Sequence, residues 1–288
     1  MADDVLQLIV NGLLAGAELA IPAIGFTTIY AVLRFANFAV ASHATIGAYA
    51  GFVANVALGW PAPVALVAAF VCAGAVGVLT DELALRRLRR AGALTAAIAS
   101  VALTVVLENV VRFVWGNDPH GYDLPVLRDW RFGGLRVGPQ LVENAAAAIL
   151  VTAVLFAFLA FTRAGKTMRA VADNPTLASL KGIDAVAVAR LATFVGMGLA
   201  GLGGMLIGMD TSVDPLTGYR VVLSVFAAAV VGGLGSIPGA VAGAFVVGVG
   251  EELSGLLLDA SYRTAVGFAA ILLVLSFRPR GLFGERAY

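Results

Sequence analysis

Ala62–Leu83 reads APVALVAAFVCAGAVGVLTDEL, a run with no charge before Asp81. Wound as an α-helix at roughly 1.5 Å per residue, it covers about 30 Å, the hydrocarbon thickness of a bilayer. Its neighbours read the same way. Apolar runs fall at Val5–Leu33, Phe38–Leu58, Ala93–Trp115, Leu141–Thr162, Val188–Met209, Tyr219–Val231, Gly239–Leu257 and Tyr262–Phe277. A soluble chain of 288 residues has nowhere to bury so many. The composition agrees: 60% hydrophobic, mean hydropathy +0.93 and 13% charged, against about 25% charged in soluble domains. The chain is therefore expected to be an all-α polytopic membrane protein. One transmembrane domain over residues 1–288 should hold about eight to ten membrane helices, some broken or re-entrant.

The net charge of +1 supplies no basic field for a nucleic acid. Cys72 is the single cysteine. It excludes a disulfide framework or metal cluster and reads as a buried free thiol in mid-span. The opening Met1-Ala2-Asp3-Asp4 is acidic and the apolar run behind it is long, so the first segment should stay as a helix. The 34 glycines suit close helix packing in lipid. Thirteen of the nineteen Lys and Arg residues fall on alternating loops, at Arg34, Arg86–Arg90, 163–190 and 278–286. The positive-inside rule places those loops and the C-terminus in the cytoplasm. Nine full spans would put the N-terminus outside; one re-entrant element would reverse that. The long loop 116–140 is then outer, and 163–187 is inner.

Two nucleotide-like patterns lack the context that would make them work. Ala160–Thr167 approximates a phosphate loop, but it leaves a lipid-length helix and holds one glycine. Gly196-Met197-Gly198-Leu199-Ala200-Gly201 spells a dinucleotide fingerprint inside an apolar stretch, where glycine spacing serves helix packing. No catalytic triad or metal cage is legible, and His43 and His120 stand alone. The chain is expected to be no enzyme and to bind no cofactor.

The inner loop looks built for a partner. Asp173-Asn174 supply a helix cap, Pro175 suits the first helical position, and Gly182 after Lys181 marks a stop. That defines a short helix at Pro175–Lys181, with Leu177, Leu180 and Ile183 on one side. A helix of this length is unstable alone in water, so it is expected either to lie on the bilayer or to dock on a cytoplasmic subunit.

Polar groups at membrane depth mark candidate pathway positions. Glu18 has no local partner. Glu108 and Arg112 are spaced to pair with each other. Asn37, Ser42, His43 and Thr45 interrupt one apolar run, and Gly232, Gly233, Gly235 and Ser236 interrupt another. The two candidate breaks, Asn37–Thr45 and Gly232–Gly239, are expected to approach a translocation route. No internal repeat is evident in the sequence.

Three stretches carry a resemblance that covers nearly the whole chain. They are Thr28–Ala39 with Ile46-Gly47-Ala48-Tyr49, the loop Arg163–Ile183, and Gly232–Ala240. Together they resemble the permease subunits of bacterial branched-chain amino acid ABC importers, the hydrophobic amino acid uptake family. The resemblance implies a multi-pass protein of the inner membrane that works with a second permease subunit. It also implies two cytoplasmic ATPases and an extracytoplasmic solute-binding protein. Asp173, Asn174, Pro175, Leu177, Leu180 and Gly182 would then couple to an ATPase. Where the family commonly has His-Gly-Glu, this chain has Val40-Ala41-Ser42, with His43 one place on. That departure leaves urea, short amides and small organic acids open beside branched-chain amino acids. The rival class is a stand-alone secondary transporter or channel.

Overall fold

The structure, a computed structural model, describes residues 2–125, 128–132, 135–256, 263–278 and 280–284. Eleven helices run through them. They are α1 (Ala2–Leu33), α2 (Val40–Phe52, prolonged by a π turn at Val53–Ala57), α3 (Ala62–Ala91), α4 (Ala93–Trp115) and α5 (Pro139–Phe161). Then come α6 (Arg163–Asp173), α7 (Pro175–Leu180), α8 (Ala185–Asp210), α9 (Thr217–Gly232), α10 (Ile237–Ser254) and α11 (Arg263–Phe277). A small antiparallel hairpin, β1 (Trp130–Phe132) with β2 (Leu135–Val137), rises from the 116–140 loop. Among the described residues six helices are long and apolar enough to cross a bilayer unaided; α9 and α11 are shorter. The expected boundaries at Leu257 and Tyr262 lie outside the described residues.

Glycine sets the architecture. α1 and α8 cross antiparallel at Gly25 and Gly196, where an added Cβ on Gly25 would sit 2.4 Å from the Gly196 carbonyl oxygen. α1 also lies antiparallel to α10, with Gly12 against Val249 and Gly16 against Phe245. α8 repeats this against α3, with Gly198 on Phe70 and Gly201 on Ala73. α2 packs on α3 and α8, while α9 packs on α10 and α1. Each short helix thus barely touches the long helix before it and packs on the long helix of the other half. The set α1–α4 and the set α8–α11 are arranged as inverted copies around the α1–α8 crossing, a transporter architecture. The sequence reading missed this repeat because it lies in helix order and glycine placement, not in matched residues.

Both short helices begin after a stretch of non-helical backbone, at 34–39 before α2 and at 211–216 before α9. The first break was expected over Asn37–Thr45, but the helix resumes at Val40. Ser42, His43 and Thr45 are therefore helical. The reason is local bonding: the Ala39 carbonyl accepts from the His43 amide (3.1 Å), Ser42 Oγ (2.9 Å) and His43 Nδ1 (2.7 Å), and Asn37 Oδ1 accepts from the Ala39 amide (3.1 Å). The break before α9 falls in the gap left between Val188–Met209 and Tyr219–Val231, and holds Pro215 but no glycine. Its Asp214 accepts from the Leu216 amide (2.8 Å) and pairs with Arg220 (2.6 Å). The two short helices meet where Thr45 Oγ1 accepts from the Gly218 amide (3.0 Å). The Gly232–Gly239 break narrows to a turn at 233–236 between α9 and α10.

The dinucleotide-like glycine pattern serves packing, as read. Gly196 meets Ile29, Gly198 meets Phe70 and Gly201 meets Ala73. Glu108 and Arg112 pair at 2.5 Å. Cys72 departs from expectation. It is exposed, not buried, because it stands beside Val64, Val67 and Val71 on the outward face of α3.

Candidate functional site

At the end of the molecule that carries the 163–187 loop, a cavity of about 850 Å³ opens between the ends of α1 and α5, α6, and the turn before α10. All three sequence stretches singled out above reach it. Arg34 comes from the first, Arg169 and Asp173 from the second, Gly235 and Ser236 from the third. Phe156, Leu159, Met168 and Leu234 supply apolar wall.

Local chemistry explains why the parts meet. Arg34 ends α1 at φ +57°, the single non-glycine residue with positive φ among the described residues. That conformation costs about 1 kcal/mol or more and persists where surrounding contacts hold it. Here its guanidinium donates to the Ala172 carbonyl, tying the α1 end to the last turn of α6. Ser236 Oγ caps α10 by accepting from the Gly239 amide (3.2 Å). The amides of Leu282 and Phe283 donate to the carbonyls of Val231 and Gly232, both at 2.9 Å. The end of the described chain is thereby stitched to the same turn, and Phe283 borders the cavity.

The inner-loop helix stands almost as read. α6 ends at Asp173, so Asn174 alone caps α7, its Oδ1 accepting from the Leu177 amide (2.9 Å). α7 covers Pro175–Leu180 and Gly182 turns the chain at φ +81°. Ala178 is buried and fixes the helix to the body. Leu177 and Leu180 stay 54% and 79% exposed. Ile183 was expected beside them; it instead turns inward against the core that holds Ala178 and Val188, because the Gly182 turn reverses the chain. Asp184 then caps α8 through the Val186 amide (2.8 Å).

An ionic lattice braces this same end. Arg190, near the start of α8, and Arg86 both bind Glu82 at 2.5 Å, and Arg89 binds the buried Asp81 at 2.8 Å. The sequence reading counted these arginines for topology and missed the carboxylates they meet. The signal was present in Asp81-Glu82 placed before Arg86 and Arg89.

The remaining pathway candidates fall elsewhere. Asn37, Ser42, His43 and Thr45 are buried between helices and do not border the cavity. His43 Nε2 lies 3.3 Å from Thr80 Oγ1, joining α2 to α3. Glu18 is buried in α1 beside Asn144 of α5. Gly232 packs on Gly239, backbone against backbone, and Gly233 on Gly284.

The opposite end is closed by the 116–140 loop. His120 and Val213 exchange backbone hydrogen bonds at 2.8 Å. Tyr122 Oη donates to the Ala48 carbonyl (2.8 Å), and Asn55 Oδ1 accepts from the Asp123 amide (2.8 Å). Burial pushes the Tyr122 phenol above its ordinary value, so it remains a protonated donor. The Gln7 side chain exchanges two 2.7 Å hydrogen bonds with the Arg136 backbone and fastens the hairpin to α1.

Residues 8–276 match the family described as the branched-chain amino acid transport system permease component. The chain belongs to that family. It is 33% identical over 296 aligned positions to the high-affinity branched-chain amino acid transport system permease protein LivH of Escherichia coli K12, covering 97% of this chain and 96% of that one. Identity is 31% to BraD of Pseudomonas aeruginosa over the same shares, and 29% to a probable LivH of Methanocaldococcus jannaschii over 92% and 88%. The solved PsaBC of Streptococcus pneumoniae in complex with Fab overlays at a TM-score of 0.48 with 15% identity, covering 96% of this chain and 94% of that one. The chain is thus a multi-pass inner-membrane permease subunit of the ABC transporter type, a transport component and not an enzyme.

Proposed function

We propose that this permease passes branched-chain amino acids, delivered by an extracytoplasmic binding protein, and that α6–α7 is its seat on a cytoplasmic ATPase. The C-terminus lies on that same cytoplasmic side. A second permease subunit completes the route. One observation carries the docking assignment. Leu177 and Leu180 stand exposed on a capped helix that is pinned by Ala178 beside the cavity mouth. A short helix held rigid with two exposed leucines fits insertion into an apolar cleft on a partner. The relatives' names support the substrate class.

Leu180→Asp would carry a carboxylate into that cleft at a cost of a few kcal/mol. ATPase co-purification and leucine uptake should fall together while membrane insertion stays normal. Unchanged co-purification of the ATPase would remove the docking role. Uptake of labelled leucine, valine and urea by cells carrying the whole transporter tests the substrate. Entry of urea alone would overturn the amino-acid reading and point to Val40–Ser42.

A further inference from the structure

The cavity has the chemistry of a binding site for a whole solute as well as of a coupling joint. Its charged groups come in both signs. Arg34 and Arg169 border it as cations and Asp173 as an anion. Neither Arg169 nor Asp173 has an ion-pair partner among the described residues. The start of α10, at Ile237 and Pro238, also opens on the cavity, and a helix N-terminus favours a carboxylate. Thr28 forms part of the wall. It is 2% exposed, and its hydroxyl oxygen is shut off from the cavity. The rest of the wall is apolar. Cation, anion and apolar surface in one cavity match a zwitterion with a hydrocarbon side chain: carboxylate to the arginines, ammonium to Asp173, side chain to Phe156, Leu159 and Met168.

We infer that the cavity is an inner-side binding site for an aliphatic amino acid, and that its occupancy holds the coupling segment against the body and slows further import. The inference rests on the proposed substrate class and docking role. The physical link is on hand. The cavity is walled by α6 on one side and by α1 and the α9–α10 turn on the other, and the Arg34–Ala172 bond already spans that seam. A ligand lodged there adds contacts to both sides. It must therefore stabilise the arrangement in which they are close, and disfavour any step that parts them. The accumulated transported solute would act as its own brake from the cytoplasmic side.

The test uses the permease–ATPase complex in lipid nanodiscs without the binding protein. Saturable binding of labelled leucine is expected. Isopentylamine, lacking the carboxylate, and 4-methylpentanoate, lacking the ammonium, should each compete at least about tenfold more weakly than leucine. Asp173→Asn and Arg169→Gln should each weaken leucine binding about tenfold. In proteoliposomes preloaded with leucine and supplied with the binding protein and ATP, uptake by Arg169→Gln should be slowed less than uptake by the unaltered transporter. Absence of saturable leucine binding, native affinity in both variants, or displacement by inorganic phosphate at leucine's own concentration would overturn the site. Displacement of that kind would make it a general anion pocket. Leucine uptake into empty proteoliposomes supplied with the binding protein and ATP, measured in parallel, separates the two readings. Uptake without inner binding removes the brake and leaves the permease assignment standing. Absence of uptake removes the substrate reading and the brake with it.

Discussion

The two ends of this permease are built on opposite plans. At the 116–140 end, side chains reach across to backbone: Tyr122 to Ala48, Asn55 to Asp123, Gln7 to Arg136, with His120 and Val213 paired strand-fashion. At the 163–187 end ion pairs brace α3 and α8, but a large cavity separates α1 and α10 from α6, and Arg169 and Asp173 border it without ion-pair partners among the described residues. Hydrogen bonds that lock a loop onto a helix end resist local opening; a seam around a cavity, spanned by few bonds, opens at low cost. The molecule is thus closed and stiff at one end and poised at the other. For a subunit driven by a partner, that places the give where the drive would enter.

The largest effect should come from the spine both ends share. A Cβ on Gly47 would lie 2.1 Å from the Gly201 Cα, and one on Gly218 would lie 1.8 Å from the Ala41 carbonyl oxygen. These are backbone atoms in two-sided contact, so no rotamer change relieves the clash. Gly47→Ala should cost about 3 kcal/mol, the upper end for overpacking, and sharply lower the melting temperature and yield in detergent. A native melting temperature would mean that the α2–α8 contact is looser than drawn, and with it the stiffness assigned to the closed end.

Next in size is the clamp itself. Tyr122→Phe removes the donor to the Ala48 carbonyl, for a loss of about 1–2 kcal/mol. Hydrogen exchange should rise in 116–125 and at the outer end of α2. Exchange confined to the 163–184 segment would reverse the comparison.

A smaller change sharpens the other end. Gly235 holds φ +93° with no atom within 4 Å of an added Cβ. Gly235→Ala should therefore cost about 1 kcal/mol from backbone strain alone, the opposite cause to Gly47. A loss as large as that of Gly47→Ala would show that the turn is packed and not merely bent.

The contrast explains what the sequence could reveal. Apolar length marked the spans, and the α7 cap was readable within a residue because Asn174, Pro175 and Gly182 act through local geometry. The abundance of glycine announced close packing, and Gly12, Gly16 and Gly47 deliver it. The inverted arrangement was invisible because it depends on which helix each glycine faces. The break at 211–216 showed only as the gap between two apolar runs, with Asp214-Pro215 as its turn signal; the Asp214 bonds that shape it act across space. Tyr122 could not be singled out either: its partner is a carbonyl 74 positions away in sequence. The cavity unites residues from three distant stretches, and sequence could name the stretches without bringing Arg34, Asp173 and Ser236 together.

The smallest expected change in stability is the most informative about coupling. Asn174→Ala deletes the acceptor for the Leu177 amide, and an N-cap loss costs about 1 kcal/mol. α7 has six residues and a single buried one, Ala178, so the cost should appear as local fraying and not as global unfolding. The melting temperature should stay within error of native, while proteolysis or hydrogen exchange accelerates over 174–182 alone. The frayed helix must then be reordered on docking, so ATPase binding should weaken by up to about tenfold. If the melting temperature falls as far as in Tyr122→Phe, α7 belongs to the cooperative core, and the two ends differ less than their bonding implies. If exchange accelerates but ATPase binding is native, Leu177 and Leu180 are not what the partner grips.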